Sequence, residues 1–171
     1  MTKIAAGKKR DATPHRSGEG QQDAPLSATE IAQGLRRNYR LFQYQAAQFL
    51  TDHLADCSRA FNGDLQQMLV LALLGQVALD ARARGLLENN AQADCISASR
   101  LADVSGIPRE TVRRKLGALH KKGWIEQVDN GSWRLKVDAM EQAHARGSLN
   151  ELDQRSVMRW ATLFAAIKPL I

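Results

Sequence analysis

The sequence predicts a mostly α-helical fold that carries one small β-hairpin. Of its 171 residues, 44% are hydrophobic but only 5% are aromatic, so Ala, Leu, Ile and Val must build most of the core. Ala and Leu favour helices, whereas β-branched and aromatic residues, which favour strands, are few. Apolar residues recur at helical spacing along most of the chain, and only the sequence around Asn130-Gly131 is typical of a hairpin.

The N-terminal part divides into a polar tail and a long helix. Residues 1–24 are rich in Lys, Gly, Gln, Asp and Ser and have no apolar periodicity, which predicts a disordered basic tail. A helix is predicted to begin after Ser27, because Ser27 and Glu30 have the spacing of a capping box. Its apolar stripe continues to about residue 60. Residues 25–63 are therefore predicted to form one N-terminal helix that supports the fold or the dimer.

The next segment predicts a buried central helix. Asn62-Gly63 ends the first helix, and Asp64 can cap the second, with Gln67 three residues later. The helix LQQMLVLALLGQVALDARAR is apolar on most of its circumference, so it is expected to lie centrally. Its most apolar part, residues 68–79, is too short to span a bilayer.

Two helices joined by a tight turn are predicted to follow a polar connection. The first covers residues 98–105, Gly106 permits the turn, and the second runs from Pro108, which suits a first helical turn, to about Lys122. Counting 100° per residue along the second helix separates an apolar side, which faces inward, from a basic side. The residues predicted to face inward are Leu101, Ala102, Ile107, Val112, Leu116 and Leu119.

The stretch WIEQV-DNG-SWRLKV is predicted to be a hairpin, and its register can be argued. A three-residue loop with a left-handed Gly131 pairs Ile125 with Leu135 and Glu126 with Arg134. A two-residue loop would instead pair Ile125 with a lysine. The first register gives an apolar pair on one face and an ion pair on the other, so it is the predicted one.

The C-terminal segment, residues 138–171, is predicted to form two helices. The first is a short helix over 138–147, and the second begins at a capping box of Ser148 and Glu151 and ends near Pro169. Its apolar stripe, facing the stripe of the N-terminal helix, is the predicted dimer interface. The stripe residues assigned to dimerisation are Leu152, Trp160, Leu163, Phe164 and Ile167.

The order helix, helix, turn, helix, two-stranded ribbon is that of a winged helix-turn-helix, here over residues 64–137. Cations crowd the side of the helix at about 108–122 that such a motif lays in the major groove of DNA. The net charge of +6 also favours an anionic partner. The predicted DNA-binding residues are Arg109, Glu110, Thr111, Arg113, Arg114, Lys115, Lys121, Lys122 and Arg134.

The stretch ISASRLADVSGIPRETVRRKLGALHKKGWIEQ resembles the reading head of bacterial transcriptional regulators of the MarR, GntR and Crp groups. The likeness covers residues 96–137, with Ser105 standing where an apolar residue is usual. The long flanking helices are similar to the dimerising helices of MarR-type proteins. The resemblance implies a homodimeric transcriptional regulator that binds double-stranded DNA sequence-specifically.

Two other hypotheses remain open at the level of sequence. One is a winged helix used as a protein-interaction module, whose basic face meets an acidic partner. The other is a DNA-binding protein of replication or partition in a mobile element. A sequence-specific DNA reader differs from the interaction module because it binds duplex with steep salt dependence and prefers one sequence over random competitor.

Other classes of function find no support in the sequence. Because no phosphate loop, nucleophile elbow or paired-carboxylate motif is present, we expect no catalytic role. His53 and Cys57 are four residues apart on a helix, but no other His/Cys pair completes a metal site, so no metal or cofactor is expected. The first residues lack the apolar core of a signal peptide, and two cysteines are too few for a disulfide framework. A cytoplasmic protein without a membrane partner is expected, and no residue identifies a small-molecule effector.

Overall fold

The computed structural model describes residues 26–137 and 142–171. The predicted tail at 1–24 and the first part of the predicted helix at 138–147 lie outside the described residues. The predicted mostly helical fold with one small antiparallel hairpin is confirmed. The elements are α1 (Ala28–Arg37), α2 (Tyr39–Ala60), α3 (Leu65–Ala83), α4 (Ala98–Ser105), α5 (Arg109–Lys121), β1 (Ile125–Gln127), β2 (Trp133–Leu135) and α6 (His144–Ile167), with short 3-10 turns at Leu86–Glu88 and Lys168–Leu170.

The predicted N-terminal helix is in fact two helices that meet at Asn38. The capping box at its start is confirmed, since the side chain of Ser27 accepts from the backbone N–H of Glu30 and that of Glu30 accepts from Ser27. The Asn38 side chain donates to the carbonyl of Gly34 at 3.4 Å and to that of Leu170 at 3.1 Å. The prediction of one helix was wrong because the apolar spacing continues across the break, while the partner that holds Asn38 comes from the far end of the chain.

Helices α4 and α5 and strand β2 pack against helix α3. The Asp64 side chain caps it as predicted, accepting from the N–H of Gln67 at 2.9 Å. Val70 and Leu74 are fully buried on the side that faces α4 and α5, whereas Leu79 on another side is 68% exposed. The core cluster consists of Phe61, Val70, Leu71, Leu74, Leu101, Ala102, Ile107, Val112, Leu116, Leu119, Trp124, Ile125 and Ala145.

The turn between α4 and α5 follows the predicted pattern, with one addition. Gly106 is left-handed, with φ of 69°, and ends α4. The hydroxyl of Ser105 accepts from the backbone N–H of Ile107 at 3.2 Å, so this unusual residue satisfies a donor in the turn. Pro108 stands as the N-cap, and α5 begins one residue later than predicted, at Arg109.

The hairpin has the predicted register. Ile125 pairs with Leu135 and Glu126 with Arg134, and Gly131 has a positive φ of 80°. The hairpin also has a third partner that the sequence does not predict, because the backbones of Ile96 and Trp133 exchange two hydrogen bonds of 2.9 Å. This bridge fixes the hairpin against the segment that leads into α4.

Helix α6 is continuous through the predicted second capping box. Ser148 lies inside the helix that begins at His144, so the predicted helix start at Ser148 is wrong. Helix α6 packs antiparallel against α2. This packing favours one continuous helix over a new helix start at Ser148. The ring of Phe49 on α2 lies 4.4 Å from that of Trp160 on α6, measured between centroids.

A buried carboxylate joins α2 to α6. Asp56 is 1% exposed and accepts from Arg59 on its own helix and from Arg155 and Arg159 of α6, the Arg155 contact being 3.3 Å long. Hydrogen bonds from Arg159 and then Arg59 outweigh the effect of burial and lower the pKa of Asp56 to about 2. The carboxylate is therefore charged at neutral pH and holds the two helices together.

This ion cluster predicts an acid-sensitive contribution to stability. Because the folded-state pKa lies below the ordinary 3.8, the contribution is complete above that value and is lost as the pH falls toward about 2. We expect Asp56→Asn to lower the melting temperature at pH 7 and to flatten its decline between about pH 5 and pH 2. Circular dichroism melts across this range measure both effects. Asp153→Asn, on an exposed residue of α6, is the control, and parallel acid declines in wild type and Asp56→Asn would contradict the assignment.

Candidate nucleic-acid interface

One side of α5 packs in the core, and this packing determines which side chains of the helix face outward. Val112, Leu116 and Leu119 are fully buried, with no exposed surface, against the core cluster. The opposite side carries the exposed side chains of Arg114 and Lys121. The two faces predicted by counting 100° per residue are therefore those of the folded helix.

Arg114 and Lys121 are the cations of α5 that the fold leaves without an ion-pair partner among residues 26–137 and 142–171. They are seven residues apart, so they lie two turns apart on the same face, about 10 Å along the axis. Gly117 stands between them and has no side chain to keep a ligand away from the helix backbone. This face suits an elongated anionic partner.

Two further arginines flank this face in exposed ion pairs. Arg113 contacts Glu110 at 3.2 Å, and Arg109 contacts Asp103 at 3.8 Å. The four side chains are each more than half exposed, so each pair contributes only about 0–1 kcal/mol and exchanges readily for another partner. Thr111, also among the predicted contacts, is half-buried at the first turn of the helix.

Three predicted DNA contacts also have partners within the protein, although Lys122 is an exposed residue. The ammonium of Lys115 lies 2.6 Å from a carboxylate oxygen of Asp64, and the Lys115 side chain is only 13% exposed. Lys122 donates to the side chain of Gln67 at 3.0 Å and lies 4.6 Å from the ring centroid of Trp124.

Arg134 of β2 is the third engaged residue. Its guanidinium donates to Glu126 at 2.7 Å across the hairpin, and both side chains are about one-third exposed. The hydrogen bond to Glu126 raises the pKa of Arg134. The sequence-predicted set therefore divides into an outward group on α5 and a group that stabilises the fold.

A polar cleft extends the outward face toward the hairpin. It has a volume of about 440 Å³ and brings together the start of α4, the start of α5 and the tip of the hairpin. The hydroxyl of Ser97 caps α4 there by accepting from the N–H of Arg100 at 3.2 Å. The residues that line the cleft are Ser97, Ala98, Ser99, Arg109, Glu110, Arg113 and Gly131.

The five residues predicted for dimerisation lie within one 120° stripe of α6, but they differ in exposure. Trp160 and Phe164 are 45% and 58% exposed, with ring centroids 5.7 Å apart. Leu152 packs against the core cluster, and Leu163 is half-buried at a groove beside α2. Ile167 is also half-buried.

The remaining candidates for metal or thiol chemistry are His53, Cys57 and Cys95. Within 26–137 and 142–171, no cluster of three or more His, Cys, Asp or Glu is placed to bind a metal ion. His53 and Cys57 approach each other at 3.7 Å without further ligands. Burial, followed by the charge of a neighbouring aspartate, raises the pKa of Cys57 and raises that of Cys95 to about 11, so both thiols are protonated at neutral pH.

None of the described helices is both long enough and apolar enough to cross a membrane. Comparisons with protein-family models, with curated proteins and with solved structures found no significant match.

Proposed function

We propose that this protein is a winged helix-turn-helix transcriptional regulator that binds double-stranded DNA sequence-specifically, with α5 in the major groove. The observation that carries the proposal is the pair Arg114 and Lys121, unpaired on the outward face of a helix whose other face is fully buried. The adjoining hairpin takes the place of the wing. The resemblance of residues 96–137 to the reading heads of MarR, GntR and Crp regulators supports the same function.

The dimensions of α5 suit this role. Its 13 residues make a rod about 20 Å long, and the major groove, about 12 Å wide, admits one helix. Arginine can bond two acceptors of guanine at once, and a carboxylate accepts from cytosine, so Arg113, Arg114 and Glu110 are the proposed base-reading residues. Lys121, two turns beyond Arg114, is placed for the phosphate backbone, which attracts cations without regard to sequence.

Selection of genomic fragments by the purified full chain, followed by protection mapping, tests the proposal. We expect one protected sequence that is bound at least about 10³-fold more tightly than random duplex. The logarithm of the affinity should fall linearly with the logarithm of salt concentration. Equal affinity for selected and random duplexes, or no binding, would contradict it.

We also propose that the protein acts as a homodimer through the α2–α6 pair, because two-fold symmetric half-sites require a two-fold protein. Helical wheels counted from Asp56 and Arg159, which face each other, place the exposed apolar residues of α2 and α6 on one side of the pair, in a row that on α6 also carries Asp153. We call this side of the helix pair the dimer face. The exposed residues of this dimer face are Leu50, Leu54, Val157, Trp160 and Phe164.

Light scattering at micromolar concentration tests the dimer and its surface. We expect a dimer for the wild type and a monomer for Phe164→Glu, because a charge at the centre of an apolar interface loses its water without gaining a partner. Met158→Glu is the matched control, since Met158 is 68% exposed on the other side of α6. A monomeric wild type would contradict the dimer, and a Phe164→Glu dimer would contradict this face.

A further inference from the structure

A second group of cations lies where α1 meets α2, far along the chain from α5. Arg36, Arg37 and Arg40 are exposed around the break at Asn38 and have no ion-pair partner among the described residues. Lys168 is exposed in the turn whose Leu170 carbonyl accepts from Asn38. We call these four residues the basic corner.

The charge of the chain is concentrated in this part of the sequence. Residues 1–51 contain eight Lys and Arg against four Asp and Glu, a net charge of +4 out of the total of +6. No acidic residue occurs between residues 31 and 51 or between 154 and 171, the two stretches that meet at the corner. Like charges held together repel, so the folded corner favours an anion from outside the protein.

The basic corner lies far from α5, so the contacts that a ligand makes with α5 do not neutralise the charges of the corner. Phe61, just beyond the end of α2, belongs to the core cluster beneath α5, whereas the corner lies at the start of α2. The 22 residues of α2 place the corner about 33 Å from Phe61.

We propose that the basic corner is a second DNA contact, which binds phosphates of duplex outside the sequence that α5 reads. This inference rests on the proposed function, since α5 would bring the duplex to the protein. Guanidinium groups form paired hydrogen bonds to phosphate, and Tyr39, 56% exposed among the arginines, adds a hydroxyl donor. The contact increases affinity and leaves the sequence preference unchanged, because phosphates carry no sequence information.

The test compares the wild type with the triple variant R36Q/R37Q/R40Q on a duplex of about 40 base pairs that contains the selected sequence, over a salt series. We expect the slope of log affinity against log salt to fall by about two to three units, at about 0.9 per phosphate contact. The ratio of affinities for selected and random duplex should stay unchanged. Arg84→Gln, which removes an exposed arginine paired with Asp80 at 2.7 Å, is the control and should leave the slope unchanged.

The outcomes separate this inference from the proposed function. A wild type that does not distinguish selected from random duplex contradicts the regulator itself. A wild type that does so, with the same salt slope in the triple variant, overturns the basic corner alone. Unchanged DNA binding by the triple variant, together with lost binding to vesicles containing anionic phospholipid, would assign the corner to a membrane surface instead.

Discussion

We expect Leu116→Ala to lower the free energy of unfolding by about 2–5 kcal/mol, the range for removing a buried leucine side chain. Leu116 has no exposed surface and lies on the inward side of α5, in the cluster that contains Leu74 of α3 and Leu101 of α4. The truncation removes apolar contacts and leaves a cavity that three rigid helices cannot easily close. Urea unfolding followed by circular dichroism measures the change.

Leu79→Ala is the matched control for this prediction. The substitution is chemically identical, but Leu79 is 68% exposed on α3, so we expect a loss of well under 1 kcal/mol. Similar losses in the two variants would mean that α5 is not packed on α3 and α4 through this side. The outward orientation of Arg114 and Lys121 would then lose its basis.

The hairpin register was predictable because its determinants are local. Two strands joined by a short loop have only a few registers, and the pairing of Ile125 with Leu135 separates apolar from charged residues better than the alternative. The 2.7 Å contact between Arg134 and Glu126 is the ion pair that this register predicted. The outward and inward faces of α5 were predictable for the same reason, since helical periodicity is a property of the segment itself.

The partners of the α5 cations were not predictable in this way. Lys115 contacts Asp64, which is 51 residues away, and Lys122 contacts Gln67, 55 residues away. Periodicity gives the direction of a side chain but not which neighbouring helix it meets, because that depends on how α3 crosses α5. Two of the nine predicted DNA contacts therefore also connect α5 and its C-terminal end to the start of α3.

The predicted helix boundaries were wrong where local capping competes with long-range packing. Asn38 interrupts a periodic segment because the carbonyl of Leu170 offers its side chain an acceptor 132 residues away. Ser148 has the sequence pattern of a cap, yet it lies within α6 because packing along α2 favours one long helix. The ion cluster of Asp56 with Arg155 and Arg159 belongs to the same helix pairing, and no spacing within the sequence predicts it.

The remaining large effect concerns DNA binding. We expect Arg114→Ala to weaken binding to the selected sequence by about 1–3 kcal/mol, that is, about fivefold to 150-fold, with a much smaller loss on random duplex. The reason is that Arg114 is exposed and unpaired among the described residues, at the centre of the outward face of α5. Arg113→Ala should act in the same direction, since its exposed pair with Glu110 can be exchanged for a base contact. Fluorescence anisotropy with selected and random duplexes measures the ratio.

Two lysines of the same helix provide the controls for Arg114. Lys121→Ala should weaken selected and random binding alike and reduce the salt slope by about one unit, as for a phosphate contact. Lys115→Ala should change DNA binding little and lower stability instead, because its charge is held by Asp64 inside the fold. Equal losses on selected and random duplex for Arg114, Arg113 and Lys121 would remove α5 as the recognition helix. If no substitution on α5 altered DNA binding, its basic face would be assigned to an acidic protein partner.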